Sequence, residues 1–342
     1  MKAIVTGVSG QDGSWMADYL IENTDVEVYG VVRRLSVPNH KNIEHLVGNP
    51  RFHLVSGDIS DAQSIDGLVR DIMPDYFINF AAQSFVGVSW DMPEHTFDVG
   101  AVAVLRCLES IRRNAPKCRF YNAGSSEEFG DVKFCPQTMA HPMSPRSPYG
   151  AAKVAARMLT KVYRESYNLY AIQGLLFNHE SERRGFEFLP QKIAIGVGRI
   201  VNAMRDGLPF QPIEVGNILA KRDWSHAKDF VCGVWLMLNQ EKPKEYILAS
   251  GETRSVKEFI DQAFLSAGIG VRWTGEGLHT SLVRAVDGTL LVRINPKFFR
   301  PAEVDILQGD ASEAEKELGW KREYSFKDLV ECMVNNAIKN KL

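Results

Sequence analysis

Tyr149 and Lys153 stand four residues apart in Ser147-Pro148-Tyr149-Gly150-Ala151-Ala152-Lys153, so both project from one face of a helix that begins after Pro148. A tyrosine with a pKa of about 10 is a poor base at neutral pH. A neighbouring ammonium and the positive charge of an oxidised nicotinamide would favour the phenolate, which then takes a proton from a substrate hydroxyl. Upstream lies Ala123-Gly124-Ser125-Ser126-Glu127, where Ser125 is placed to hold the reacting oxygen. Plain hydride transfer needs no carboxylate beside that serine, whereas elimination needs a group to remove a carbon-bound proton. Glu127 therefore favours elimination, an inference that the adjacent Glu128 dilutes if one of the two simply faces solvent.

A Tyr/Lys pair at this spacing occurs by chance on many amphipathic helices, so the chemistry also needs a cofactor site. Gly7, Gly10 and Gly13 form GxxGxxG between an apolar run and a helical period. Glycine there lets the backbone turn tightly, approach a pyrophosphate, and offer it the helix N-terminus. The second apolar run ends in Gly30-Val31-Val32-Arg33-Arg34 rather than in the acidic residue that bonds the ribose hydroxyls of NAD. Two guanidinium groups suit a 2′-phosphate, which favours NADP over a solvated basic pair. Asp58 is a candidate for the adenine amino group, and Ala81-Ala82-Gln83-Ser84 offers small residues where a backbone must pass close to the cofactor.

These residues need a scaffold, and the apolar periodicity supplies one. Predicted strands cover Lys2–Thr6, Val26–Val32, Phe52–Ser56, Tyr76–Phe80 and Arg119–Ala123. The segments Gly13–Asn23, Ser64–Ile72 and Phe97–Arg113 between them have helical period. Such alternation reads as an α/β fold, a doubly wound parallel Rossmann sheet. Beyond about residue 178 the pattern is less regular, with Pro and Gly punctuation and a polar stretch over Trp273–Asp287. We expect residues 1–178, with a returning segment near 224–250, to form the cofactor domain. Residues 179–223 and 251–342 are expected to form a smaller, interleaved α/β substrate domain.

The bulk numbers exclude other classes. With 342 residues, 45% hydrophobic, 24% charged and a formal charge of -2, the chain matches neither a disordered segment nor a general nucleic-acid binder. No apolar run is long enough to span a bilayer, and the opening residues lack a secretory pattern, so a cytoplasmic protein is expected. Five scattered cysteines and eight histidines show no metal-ligand spacing, and neither disulfides nor a metal site is expected.

Beyond these general motifs, the sequence resembles the GDP-mannose 4,6-dehydratases along nearly its whole length. The resemblance is carried by Thr6-Gly7-Val8-Ser9-Gly10-Gln11-Asp12-Gly13, by Arg33-Arg34 followed by Ser36, and by Arg146-Ser147-Pro148-Tyr149-Gly150. It continues through Leu176-Phe177-Asn178-His179-Glu180-Ser181, Arg183-Arg184-Gly185, Ala220-Lys221-Arg222-Asp223-Trp224, Ser250-Gly251-Glu252-Thr253 and Phe299-Arg300-Pro301, with Glu303-Val304-Asp305 and Leu318-Gly319-Trp320 closing it.

The resemblance implies a cycle in which Tyr149 deprotonates the sugar 4-hydroxyl as hydride passes to NADP⁺. Glu127 then removes the carbon 5 proton and helps expel water from carbon 6, to which the same hydride returns. Ser125 would bond the carbon 4 oxygen and Lys153 the nicotinamide ribose. It also implies cofactor contacts from Gln11, Asp12, Ile59, His179, Arg183 and Arg184, the two arginines reaching a neighbouring subunit in a homotetramer or dimer. Substrate contacts are implied for Ser84, Asn178, Lys192, Asn217, Arg222, Arg300 and Glu303. The chain departs from the family pattern at Ser125, where threonine is usual, at Leu219, and at Pro190-Gln191. The last two leave open a related GDP-sugar such as GDP-manno-heptose. An epimerase or 4-dehydrogenase on the same scaffold would keep Tyr149 and Lys153 but not need Glu127. A catalytically silent cofactor-sensing protein would not need the Ser125, Tyr149, Lys153 set at all.

Overall fold

The computed structural model describes residues 1–298 and 306–341. Its centre is a sheet of seven strands: β1 (Lys2–Thr6), β2 (Glu27–Val32), β3 (Phe52–Ser56), β4 (Tyr76–Asn79), β5 (Arg119–Ala123), β6 (Ala171–Leu176) and β7 (Ile247–Leu248). Their order across the sheet is β7-β6-β5-β4-β1-β2-β3, and every pair is parallel. All four residues of β4 and all six of β6 are buried. This is why such strands read as continuous apolar runs: helices cover both faces of the sheet.

The predicted strands fall where expected, with β2 starting one residue later and β4 stopping at Asn79. The single helix predicted over Phe97–Arg113 is instead composite. A short helix Pro93–Phe97 leads through a π-turn, Asp98–Val102, into the helix Ala103–Asn114. Periodicity alone does not reveal such a π-turn. It sits where Gly100 packs so tightly on the helix Pro148–Tyr167 that a Cβ there would lie 2.9 Å from that of Ala152.

A second core lies beside the sheet. Ile193, Ile200, Phe259, Phe264, Leu291 and Leu329 pack within it, between the helices Leu189–Asp206, Val256–Ser266 and Phe326–Lys339 and a four-stranded sheet. The polar stretch Trp273–Asp287 is largely accounted for by two antiparallel strands of that sheet, Val271–Thr274 and Ser281–Arg284, whose outer positions face water. The chain passes between the two bodies through the paired short strands Asn178–Glu180 and Trp224–His226. Among the described residues no helix is long and apolar enough to cross a membrane.

Candidate active site

The strand order reverses between β4 and β1, and ligands of doubly wound sheets sit outside the carboxyl ends of the strands at that switch. A cavity of about 600 Å³ opens there, walled on one side by the strand ends and on the other by the second core. Ser125, Glu127, Tyr149 and Lys153 line it together with Ser84, Asn178, Lys192, Asn217 and Arg222.

The residues expected to react are placed by local devices. Ser125, just past β5, is extended and caps the 3-10 turn Ser126–Glu128, its Oγ accepting from the Glu127 N–H at 3.2 Å. Pro148 opens the next helix, with the Ser147 side chain accepting from the Gly150 N–H. From it Tyr149 reaches Ser125, with which its hydroxyl shares a hydrogen bond. One turn on, the Lys153 ammonium stands 5.6 Å from the Tyr149 ring centroid and donates to the Ala123 carbonyl at 2.6 Å.

The electrostatics differ from the expected aid of Lys153 to the phenolate. Burial pushes Tyr149 above the usual tyrosine range, the Ser125 hydrogen bond opposes this, and the charges of Glu127 and Glu128 add to the rise. Burial likewise lowers Lys153 to about 8, with Glu128 and Asp12 holding it up. In the protein alone Tyr149 is therefore a protonated donor, because removing it from water costs its charged form more than a ring-distant ammonium returns.

Of the two adjacent glutamates, neither faces open solvent. Glu127 is half-buried in the cavity wall, whereas Glu128 is wholly buried beneath it, accepting from the Ser125 N–H at 2.9 Å. The structure thus settles which carboxyl meets the cavity.

The glycine loop has the form a dinucleotide requires. Gly7 adopts φ +67°, and a Cβ there would lie 2.9 Å from the Ala81 nitrogen. A Cβ on Gly13 would come within 2.2 Å of the Gly7 carbonyl oxygen. Gly10 caps the first helix, Gln11–Asn23, without any side-chain hydrogen bond, leaving its N–H groups to an anion. Burial alone would raise Asp12, but the charge and hydrogen bond of His179, 3.0 Å away, bring it down to about 2. Gln11 turns its amide to the His179 carbonyl and to Ser181, joining the first helix to the strand Asn178–Glu180.

Not every expected cofactor residue presents its side chain. Ile59 is buried in the core under the sheet, so its side chain is a packing group and only its backbone is left for a ligand. Asp58 accepts from the N–H and hydroxyl of Ser60. Arg33 and Arg34 are exposed just past β2, as a 2′-phosphate contact needs. Arg184 stands in the cavity wall, paired with Glu180 at 3.1 Å and stacked on Phe188. Arg183 is turned away, 2.7 Å from Asp18 and over the Trp15 ring.

Among the residues expected to meet substrate, the Asn178 Oδ1 is buried and has no hydrogen-bond partner among the described residues. The Lys192 ammonium lies 3.7 Å from the centre of the Phe298 ring, and Asn217 accepts from the Leu219 N–H at 2.9 Å. Arg222 donates to the Lys221 carbonyl at 2.8 Å, and its neighbour Asp223 accepts from the N–H groups of Ser250, Gly251 and Gly309. Arg300 and Glu303 lie outside the described residues.

Sequence reasoning missed the aromatic wall formed by Phe85, Trp90, Phe188 and Phe298, since isolated aromatics carry no spacing signal. It also missed Glu182, His226 and Cys332, whose ligand atoms converge within 4.8 Å. The Nδ1 of His226 accepts from the Lys228 N–H. Its Nε2 faces the Glu182 carboxylate 3.5 Å away. His226 is buried, and Glu182 and Cys332 are partly so.

The family model described as GDP-mannose 4,6 dehydratase matches residues 4–333. The GDP-mannose 4,6 dehydratase of Drosophila melanogaster is 43% identical, over 98% of this chain and 86% of that protein. Among solved structures, the dTDP-glucose 4,6-dehydratase of Streptomyces venezuelae with NAD bound has a TM-score of 0.83 at 22% identity, covering 100% of this chain and 98% of that one. RMD of Pseudomonas aeruginosa complexed with NADPH has a TM-score of 0.78 at 21% identity, covering 99% of each chain. At these identities the structures speak for the fold alone.

Proposed function

The chain belongs to the GDP-mannose 4,6-dehydratase family, and on that footing we propose that it removes water from GDP-mannose to give GDP-4-keto-6-deoxymannose, with NADP as a resident cofactor. The observation that carries this is the placement of Glu127: one carboxylate enters the cavity wall beside Ser125, Tyr149 and Lys153. A hydride-transfer site has no use for it, and an elimination site requires it.

The glycine loop and its uncapped helix would hold the pyrophosphate, and Arg33 and Arg34 the 2′-phosphate. A nicotinamide bound there would supply the hydride acceptor and donor for the sugar. Tyr149 receives the 4-hydroxyl proton while Ser125 keeps its hydrogen bond to that oxygen. A carbonyl at carbon 4 acidifies carbon 5, whose proton Glu127 removes. The same carboxyl, now protonated, supplies the proton that leaves with the carbon 6 hydroxyl as water. Asn178, Lys192 and Arg222 also line the cavity, where they would meet the GDP portion. As carbon 6 is reduced, the proton that Tyr149 took returns to carbon 5, so oxidation and reduction cancel, both side chains are restored and the cofactor is not consumed.

The test is direct. Purified protein incubated with GDP-mannose and catalytic NADP⁺ should yield a product lighter by one water in mass spectrometry. Unchanged mass would remove GDP-mannose dehydration as the function. For the cofactor, replacing Arg33 and Arg34 together by alanine should weaken NADP⁺ binding by about a hundredfold or more, each charge-assisted contact being worth roughly 1.5–3 kcal/mol. Affinity for NAD⁺ should hardly change. Equal effects on the two cofactors, read by titration calorimetry, would remove the 2′-phosphate role.

A further inference from the structure

Glu128 is wholly buried and forms no ion pair among the described residues, and its Oε2 has no hydrogen-bond partner. Burying a carboxyl in this way is expensive, and an apolar residue of similar size would avoid the cost. Its formal place in a capping box with Ser125 does not explain it, because the turn it caps is only three residues long. There is no helix whose stability would repay the burial.

What Glu128 touches is more informative. Its Oε1 accepts from the Ser125 N–H at 2.9 Å and from the Gln173 amide at 2.9 Å. The same Gln173 nitrogen donates to the Lys153 carbonyl at 3.0 Å. Three hydrogen bonds therefore run from the backbone of the catalytic serine, through one carboxyl oxygen and one amide, to the helix that carries Tyr149 and Lys153. The line continues across the sheet. Asn122 donates to Gln173 at 2.6 Å, Asn79 donates to Asn122 at 2.7 Å, and Thr6 donates to Asn79. Each of these is the lateral register partner of the next, Thr6 with Asn79, Asn79 with Asn122, and Asn122 with Gln173. Buried polar residues aligned through four parallel strands form a rigid rung, fixed at one end beside Gly7 and at the other beneath the catalytic turn.

We propose that Glu128 is a positioning residue, which through Oε1 and Gln173 sets the catalytic serine against the helix bearing Tyr149 and Lys153. It does not line the cavity and touches no substrate. Its influence is on the aim of groups that do, and misplacing a catalytic group by about 1 Å costs on the order of a hundredfold in rate. Burial pushes Glu128 up to about 7, with the Ser125 N–H, Arg157, Gln173 and Lys153 holding it down. The buried Tyr121 also faces it, its own hydroxyl unpartnered. In either protonation state Glu128 keeps an acceptor oxygen for Ser125, so the positioning role does not depend on its charge.

The inference rests on the dehydratase reading, and the experiment separates the two. Water loss from GDP-mannose is first measured with the parent protein, and its absence there would overturn the reading. With an active parent, kcat and KM are compared for Glu128→Gln, Glu128→Leu, Gln173→Leu and the Glu128→Leu/Gln173→Leu double variant, alongside retained cofactor and Tm. Glu128→Leu and Gln173→Leu should each lose kcat by about tenfold to a hundredfold with KM within about threefold. Glu128→Gln, which keeps an oxygen acceptor, should stay within about threefold of the parent. The double variant should cost little more than the worse single, because both act through one connection. A parent-like kcat in Glu128→Leu would overturn the proposal. So would a Glu128→Gln as slow as Glu128→Leu, or additive losses in the double variant. Should Glu128→Leu fail to retain cofactor, Gln173→Leu and Glu128→Gln decide the matter on the same criteria.

Discussion

Tyr149→Phe is expected to lower kcat by about a thousandfold, within the 10²–10⁴ range that a positioned general acid–base contributes. The ring, its helix and the 5.6 Å contact with the Lys153 ammonium would remain, so the fold and the bound cofactor should persist. The loss should fall on the first step: with no group to take the 4-hydroxyl proton, neither reduced cofactor nor dehydrated product should form. Because burial holds Tyr149 above its ordinary range in the protein alone, the parent's rate should climb with pH as the phenolate becomes accessible, and the variant's residual rate should lose that climb. A pH profile of water loss, with cofactor content as the control, checks both points. A kcat within tenfold of the parent would remove Tyr149 as the base.

Glu127→Gln should separate the two halves of the reaction. The amide keeps the shape of the side chain in the cavity wall but cannot accept the carbon 5 proton. Oxidation at carbon 4 relies on Ser125, Tyr149 and Lys153, which are untouched. The variant should therefore lose dehydration by about 10²–10⁴-fold while still reducing its cofactor. On mixing with GDP-mannose, the near-ultraviolet absorbance of reduced nicotinamide should rise toward one equivalent per site and persist, whereas in the parent it should be transient. Dehydration at the parent's rate would show that another group takes the carbon 5 proton. Loss of both absorbance and product would mean that Glu127 serves binding rather than elimination.

The amino-acid sequence by itself determined what is local. The strands β1 to β5 were legible as short β-rich apolar runs between helical periods, most nearly continuous in β1 and β4, where burial is nearly complete. The glycine loop was legible because Gly7 and Gly13 answer to backbone geometry within a few residues of themselves. The Tyr149/Lys153 pair was legible because a helix turns a four-residue spacing into one face. What tertiary structure decided is everything that depends on burial and on partners far along the chain. Glu127 and Glu128 are equivalent as letters; a three-residue turn packed under the cavity sends one into its wall and the other beneath the floor. Arg183 and Arg184 diverge for the same kind of reason, one captured by Asp18 and Trp15 and the other by Glu180 and Phe188. The amide rung from Thr6 to Gln173 was invisible in the sequence, since its members come from four separate strands. The upward push on Tyr149 was equally invisible, because desolvation is a property of the surrounding volume and spacing along a helix carries no trace of it.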